Sequence, residues 1–328
     1  MKIKKILTVS LALVLALSTL VLGTACGDSD DGKYVIGISQ FIAHDALDAA
    51  TKGFKDAVIA GLGEENVEFI EQNADGSPDA CATIANTFVQ KKVDLILANA
   101  TPALLAAYSA TEKIPILGTS ITEYGVALGL KDFNGTVGSN VSGTSDLAPL
   151  DKQADMITEL VPEAKKVGLL YCSGEANSVY QVQVVEAALK AKGLEVARYT
   201  FSDSNDVATV AANAAKNSDV LYIPTDNTAA ACAETIYGAM TEKKPIIAGE
   251  SGICAGCGIA TLSIDYYDLG YATGEMAVKI LKDGADITKM PIEYTPEDKL
   301  AKKYNEAICK ELGIDTAALE AAGYTAIK

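Results

Sequence analysis

The sequence predicts an α/β protein of two similar doubly wound parallel-sheet lobes joined by crossover segments. Three observations carry that expectation. Short β-branched runs without apolar–polar alternation are separated by longer amphipathic runs, the pattern of parallel strands covered on both faces and linked by helices. The order of these runs occurs twice along the chain. With 328 residues, the chain exceeds the size at which one hydrophobic core stops growing, which favours two domains.

In the first copy, strands are expected at 34–38, 67–70, 93–97 and 115–118, and helices at 47–60, 79–91 and 102–110. Helix 47–60 sets Leu47, Ala50, Phe54, Ala57 and Val58 on one face. The second copy repeats the order, with strands at 167–171, 194–199, 220–223 and 245–248 and helices at 178–192, 206–217 and 228–240. Anchors recur at nearly constant offsets: 94–97 matches 219–222, Thr101 matches Asp226, 114–116 matches 244–246, and Ser120 matches Glu250. Each copy is long enough for one doubly wound layer structure. The Gly-, Ser-, Asn- and Thr-rich connector 134–149 reads as a crossing between lobes, with further crossings at 259–264 and 291–294. Helices are expected at 267–282, 297–312 and 316–322. Lobe one then comprises 34–143 plus 264–290, and lobe two 144–263 plus 291–328.

Residues 1–25 read as an address. Lys2, Lys4 and Lys5 precede 18 uncharged residues (6–23) and small residues before Cys26, the layout of a secretory signal; a retained membrane anchor is the other reading. With the polar run 27–32 after the cysteine, the segment resembles a bacterial lipoprotein signal. That resemblance implies cleavage before Cys26, lipidation of its thiol and a lipid-anchored linker over 26–33, so the chain meets the membrane through a lipid anchor only. The net charge is −16, and loss of residues 1–25 makes it −19. A surface so acidic repels phosphate backbones and argues against nucleic acid as a partner. One histidine (His44), one arginine (Arg198) and no tryptophan leave little material for a histidine-based metal site or catalytic triad.

Six further cysteines follow Cys26. Cys81, Cys232 and Cys309 sit in helical patterns and read as small buried thiols. Cys254 and Cys257 have C-x-x-C spacing, which a redox pair, a local disulfide or half a zinc site would also show. Without a second such pair or a partner histidine, the segment reads as a Gly-rich loop carrying two thiols.

Ligands of open α/β sheets bind beyond the carboxyl ends of strands, and two lobes facing each other through those ends form a cleft that hinge closure can bury. The segments 39–45, 99–102 and 119–122 of lobe one and 172–178, 224–228 and 249–251 of lobe two occupy such positions, and they are crowded with hydroxyls, amides and carboxylates. Thr101–Pro102 suits a helix start, as a plain cap or as an N-terminus receiving a carboxylate. Asp226, at the matching place, suits either an N-cap or the ammonium of a zwitterionic amino acid. His44 follows the first strand and is a candidate contact, while Phe41, Tyr124, Tyr266 and Tyr267 are candidates for aromatic wall or for ordinary packing.

The runs 34–48, 174–178, 224–228 and 264–270 resemble the solute-binding lipoproteins of ABC importers, nearest the branch associated with tryptophan or tyrosine uptake. The resemblance spans about 33–312. It implies the type I periplasmic-binding fold, three interlobe crossings, no catalysis, no cofactor or metal, and delivery of an amino acid to a permease driven by a separate ATPase. By position it places Gln40, His44, Thr101, Ser120, Asn177, Asp226 and Asp265 on cleft-lining motifs, and Glu250 joins them as the match of Ser120. A monomer on the extracytoplasmic face of the membrane is expected. Three function classes are weighed. The first is an importer's binding protein for an aromatic amino acid, or for a sugar or nucleoside on the same fold; the others are an enzyme using Cys254 and Cys257, and a surface adhesion or signalling protein. A nucleotide enzyme lacks its motif, since no G-x-x-x-x-G-K-[ST] and no G-x-G-x-x-G follows an expected strand.

Overall fold

Strands and helices alternate through a computed structural model that describes residues 32–327, so the expected signal sequence, Cys26 and all but the end of the expected linker lie outside the described residues. The first half contains β1 (Tyr34–Gln40), α1 (Asp45–Leu62), β2 (Val67–Asn73), α2 (Pro78–Lys91), β3 (Leu95–Asn99), α3 (Thr101–Ala110), β4 (Ile116–Ile121), α4 (Tyr124–Ala127) and β5 (Val141–Ser145). The second contains α5 (Leu150–Leu160), β6 (Lys166–Cys172), α6 (Ala176–Ala191), β7 (Glu195–Phe201), α7 (Val207–Lys216), β8 (Val220–Ile223), α8 (Asn227–Ala231), α9 (Ala233–Ala239), β9 (Ile246–Ala248), α10 (Ser251–Cys257) and β10 (Ala260–Ser263). The chain ends with α11 (Tyr266–Leu281), β11 (Glu293–Tyr294), β12 (Ala301–Tyr304), α12 (Glu306–Glu311), α13 (Thr316–Ala321) and β13 (Thr325–Ala326).

These strands form two sheets. One runs β11-β5-β4-β3-β1-β2, parallel throughout. The other runs β13-β12-β10-β9-β8-β6-β7, in which only the β10–β12 pairing is antiparallel. Strand order 2-1-3-4-5 in the first and 7-6-8-9-10 in the second is the same topology written twice, as the repeated anchors imply. One anchor pair has the same job in both lobes: Asp94 Oδ2 accepts from Val35 N at 2.7 Å, and Asp219 Oδ2 accepts from Lys166 N at 2.9 Å. Each carboxylate pins the start of the neighbouring strand.

Both faces of each sheet are covered. In β3, Leu95 and Leu97 pack with Phe54 and Met276, while Ile96 and Ala98 face Phe88 and Leu104. In β8, Val220 and Tyr222 pack on Val185, and Leu221 and Ile223 on Phe201 and Ile236. Continuous apolar strands follow from this two-sided burial.

The chain crosses between lobes three times: at 146–149 after β5, at Ile264–Asp265 after β10, and at 295–300 after β11. After the second crossing α11 lies along α1, close enough that only glycine fits at the contact. A Cβ on Gly270 would stand 1.9 Å from the Ala50 carbonyl oxygen, and one on Gly53 would stand 2.1 Å from that of Tyr267.

Several expectations change. The connector 134–149 contains β5, disguised by composition: a Cβ at Gly143 (φ 143°) would meet the Gly118 oxygen at 2.0 Å, so tight strand pairing demands a small residue. Residues 293–294, expected in lobe two, pair with β5 in the first sheet. The expected helix 297–312 is a 3₁₀ turn, β12 and α12, because pairing with β10 (Ala260 opposite Tyr304) overrides local helix propensity. The expected helix 228–240 divides at Cys232.

The C-x-x-C segment is the short helix α10, not a loop. Cys254 and Cys257 are fully buried in it, and all six cysteines of the described part are free thiols. Burial pushes both thiols well above their ordinary pKa, and the Cys257 thiol donates to the Ile253 carbonyl oxygen at 3.2 Å. Inert thiols of this kind are packing groups. Among the described residues no cluster of His, Cys, Asp and Glu is disposed to hold a metal ion, and no helix is long and apolar enough to cross a membrane.

Candidate functional site

In each lobe the strand order reverses beside the first strand of the repeat, between β1 and β3 and between β6 and β8, where doubly wound sheets receive ligands. The sequence-selected residues gather at these strand ends, with one exception. Asp265 is exposed at the second crossing, where its Oδ1 accepts from Tyr267 N (2.9 Å) and Asp268 N (3.1 Å) and caps α11.

In lobe one, Gln40 is buried and already satisfied. Its amide donates to the Ile42 carbonyl (3.0 Å) and to Asp48 Oδ1 (2.6 Å), and its oxygen accepts from the Thr51 hydroxyl (2.7 Å). It braces the β1–α1 turn. Beside it, Asn99 donates to the Leu47 carbonyl (2.8 Å) and Thr51 Oγ1 (2.9 Å), while its Oδ1 is buried with no partner. Thr101 is the first residue of α3, not its cap; Ala100 holds the cap position at φ 87°. Ser120 sits at φ 57° where β4 loses register with β5. Two non-glycine residues in the left-handed region at adjacent strand ends mark a place where backbone strain is held for a purpose.

In lobe two, three buried carboxylates organise helix starts. Glu175, 2% exposed, accepts from Asn227 N (3.1 Å), Asn227 Nδ2 (2.6 Å), Thr228 N (2.9 Å) and Thr228 Oγ1 (2.8 Å). Asp226 is the N-cap of α8: Oδ1 accepts from Ala229 N at 2.8 Å and Oδ2 from Cys172 N at 2.7 Å. Burial, reinforced by the Glu175 charge, pushes the Asp226 carboxyl upward. Glu250 caps α10, accepting from Gly252 N at 2.6 Å and from Ile253 N. Burial raises Glu250 as well, and His44 opposes that rise. Asn177 donates to the Thr225 carbonyl at 3.0 Å and leaves its own Oδ1 buried and unpartnered.

The lobes meet across the gap. His44 Nε2 lies 3.4 Å from Asn227 Oδ1. Because the Asn227 amide nitrogen donates to Glu175, its oxygen faces His44, and Nε2 is the donor. Where the crossings run side by side, Tyr266 at the start of α11 donates its hydroxyl to Asp146 Oδ2 of the first crossing at 3.0 Å, and both residues are buried. Burial pushes Asp146 up to about 6, the Tyr266 and Thr122 hydroxyls partly opposing it and the Glu250 charge adding to it. Residues of both lobes line a cavity of about 390 Å³ around His44, Asp45, Ala230 and Gly252, and another of about 380 Å³ around Thr101, Pro102, Gly174 and Ala176.

Of ten buried, unpartnered side-chain polar atoms in the described residues, six lie at these strand ends: Ser39 Oγ, His44 Nδ1, Asn99 Oδ1, Ser120 Oγ, Asp146 Oδ1 and Asn177 Oδ1. Buried polar groups are ordinarily paired, so their concentration here makes these strand ends the candidate site. Of the aromatic candidates, Phe41 and Tyr124 belong to the lobe-one core, and Tyr267 is half-buried, donating to Asp56 at 2.9 Å. Sequence reading passed over Asn99, Asp146, Glu175 and Asn227. Glu175 and Asn227 stood inside motifs already noted, whereas Asp146 follows the one strand that composition concealed.

A tyrosine-binding protein of Clostridioides difficile (strain R20291) is 36% identical over 315 residues, covering 91% of this chain and 90% of that protein. An ABC domain from Streptococcus pneumonia, solved in complex with L-Trp, superposes with a TM-score of 0.84 at 32% identity, covering 90% of this chain and 100% of its own. The ligand-free, open structure of a substrate binding protein with adhesive properties from Clostridium difficile gives a TM-score of 0.67 at 37% identity, with the same coverages of 90% and 100%. The two-lobed architecture is the type I periplasmic-binding fold. Residues 35–321 match the family model for ABC transporter substrate binding proteins, and the chain belongs to that family.

Proposed function

We propose that this protein captures an aromatic amino acid between its two lobes and delivers it to the permease of an ABC importer from a lipid anchor at Cys26. The lobes divide near the three crossings at 146–149, 264–265 and 295–300 and move about them as a hinge. The observation that carries the reading is the row of unpartnered buried polar atoms contributed by both lobes at their facing strand ends. A zwitterion needs donors at one end and a carboxylate at the other, and both kinds of group are present there. The interlobe contacts belong to a closed arrangement. The chain superposes better on the L-Trp complex (0.84) than on the ligand-free open structure (0.67), although the latter has the more similar sequence. Ligand favours that closed form because only there do both lobes touch it, and the permease reads the closed shape. The named relatives support an aromatic ligand, as one is called tyrosine-binding and another holds L-Trp. Nothing in this arrangement calls for a chemical step: the ligand is carried, not transformed.

Thermal unfolding with each of the twenty L-amino acids tests the reading. At a free concentration of 100 Kd, a ligand bound only by the folded state stabilises it by about 2.7 kcal/mol. L-Tyrosine, L-tryptophan or L-phenylalanine is expected to raise Tm by several degrees. A shift with a sugar or nucleoside, and none with any amino acid, would overturn it.

A further inference from the structure

Four acidic side chains are buried in the described part of the protein: Asp146, Glu175, Asp226 and Glu250. Three are committed to the fold. Both oxygens of Glu175, Asp226 and Glu250 accept hydrogen bonds, from N–H groups at helix starts and, for Asp226 Oδ2, from the Cys172 N–H at the end of β6. Asp146 differs. Its Oδ2 accepts from the Tyr266 hydroxyl and the Thr122 hydroxyl stands near the carboxylate, while Oδ1 is buried with no hydrogen bond and, among the described residues, no lysine or arginine is paired with it. A buried carboxylate with an unused oxygen is costly unless a cation completes it.

Its place in the fold says which cation. Asp146 directly follows β5 at the first interlobe crossing, with its N–H donating to the Ile121 carbonyl at 3.1 Å, so it lies beside the end of β4, where the Ser120 hydroxyl is also unpartnered. Tyr266, which holds its other oxygen, is the first residue of α11, directly after the second crossing. The carboxylate therefore sits where the chain passes between the lobes, bonded to the start of α11 just after the second crossing and within reach of the Glu250 charge of lobe two. By contrast, Asp226, which the sequence offers for the same task, has both oxygens occupied by the Ala229 and Cys172 N–H groups.

We propose that Asp146 receives the ligand's primary ammonium group and so selects for α-amino acids over the corresponding deaminated acids. This rests on the amino-acid reading above and adds the residue responsible for its selectivity. A bound ammonium supplies the missing counter-charge and holds Asp146 ionised, so binding releases a proton wherever the free protein has Asp146 protonated. The titratable groups facing Asp146 are the Tyr266 phenol of α11, the Tyr124 phenol of α4 and the Glu250 carboxyl of lobe two; of these only Glu250 is, like Asp146, a carboxyl raised by burial.

The test compares L-tyrosine and L-tryptophan with 3-(4-hydroxyphenyl)propionate and 3-indolepropionate, which lack the amine, by calorimetric titration of wild type and Asp146→Asn. Expected is a loss of about 10- to 100-fold for the amino acids in Asp146→Asn, with the deaminated acids binding both proteins equally, so that discrimination between the classes collapses. Proton release is measured on wild type alone, in buffers of different ionisation enthalpy near pH 6, and needs no variant to fold. L-Tyrosine is expected to release protons and its deaminated analogue none. Equal loss for both ligand classes, unchanged amino-acid affinity in Asp146→Asn, or identical proton release by tyrosine and its analogue overturns the assignment while leaving the amino-acid reading intact. Failure of wild type to bind any of the amino acids overturns that reading and this one together.

Discussion

Replacing His44 by alanine removes a hydrogen bond that exists only when the lobes are together. In the structure His44 Nε2 donates to Asn227 Oδ1 at 3.4 Å across the gap, and Asn227 is held from behind by Glu175 at 2.6 Å. Among the described residues the His44 ring has no hydrogen bond within lobe one, since its Nδ1 has no partner. The loss therefore falls on the closed state and leaves the interior of each lobe as it was. A neutral hydrogen bond of this kind is worth about 0.5–1.5 kcal/mol. If ligand binding and closure are linked as proposed, the same free energy appears in the binding constant, a reduction of about 2- to 12-fold. The assay is calorimetric titration of His44→Ala and wild type with L-tyrosine and L-tryptophan, alongside urea unfolding of each ligand-free protein. Affinity equal to wild type would refute the reasoning. So would a loss beyond 100-fold, which would mean that His44 grips the ligand itself.

Gly270→Ala should be destabilising by about 2–3 kcal/mol in urea unfolding, since the new methyl group meets backbone at 1.9 Å and α1 and α11 must separate to admit it. Gly238→Ala on α9, with nothing within 4 Å of the added carbon, is the control and should be neutral or stabilising by about 0.5–1 kcal/mol; equal behaviour of the two would refute the packing argument. Asp146 also predicts a pH dependence. Its folded pKa is raised from 3.8 to about 6, so its stabilising contribution is fully present below pH 3.8 and is lost as pH rises through about 6. At about 1.4 kcal/mol per tenfold change in acidity, the loss is about 3 kcal/mol. The ligand-free stability of Asp146→Asn relative to wild type should accordingly improve between about pH 4 and pH 7, and a pH-independent difference would contradict the assignment.

The doubled topology was legible because its signals are local and redundant. Buried parallel strands read as unbroken apolar runs, and the matched pair Asp94 and Asp219 recurs because each sheet needs its first strand pinned. What stayed hidden depends on contacts distant in sequence. The strand β5 looks like a linker because Gly143 must pass within touching distance of Gly118, and small residues carry no strand signature. The strand β12 lies in a helix-like stretch and is set by pairing with β10, some forty residues earlier in the chain. At the site, strand ends could be located from the pattern alone, which placed Thr101, Ser120, Asn177, Asp226 and Glu250 beside the strand ends where the unpartnered polar atoms gather. Their roles could not be read there. Whether a carboxylate caps a helix or waits for a ligand is decided by which N–H groups surround it, and only the folded chain reveals that Asp226 is satisfied and Asp146 is not.

The clamp between lobes is tested most directly by small-angle X-ray scattering of the mature protein with and without saturating L-tyrosine or L-tryptophan. A fall in the radius of gyration on adding ligand, reaching the value of the arrangement described here, is expected. Ligand binding confirmed by calorimetry with no change in the scattering curve would contradict a hinge that closes on its guest.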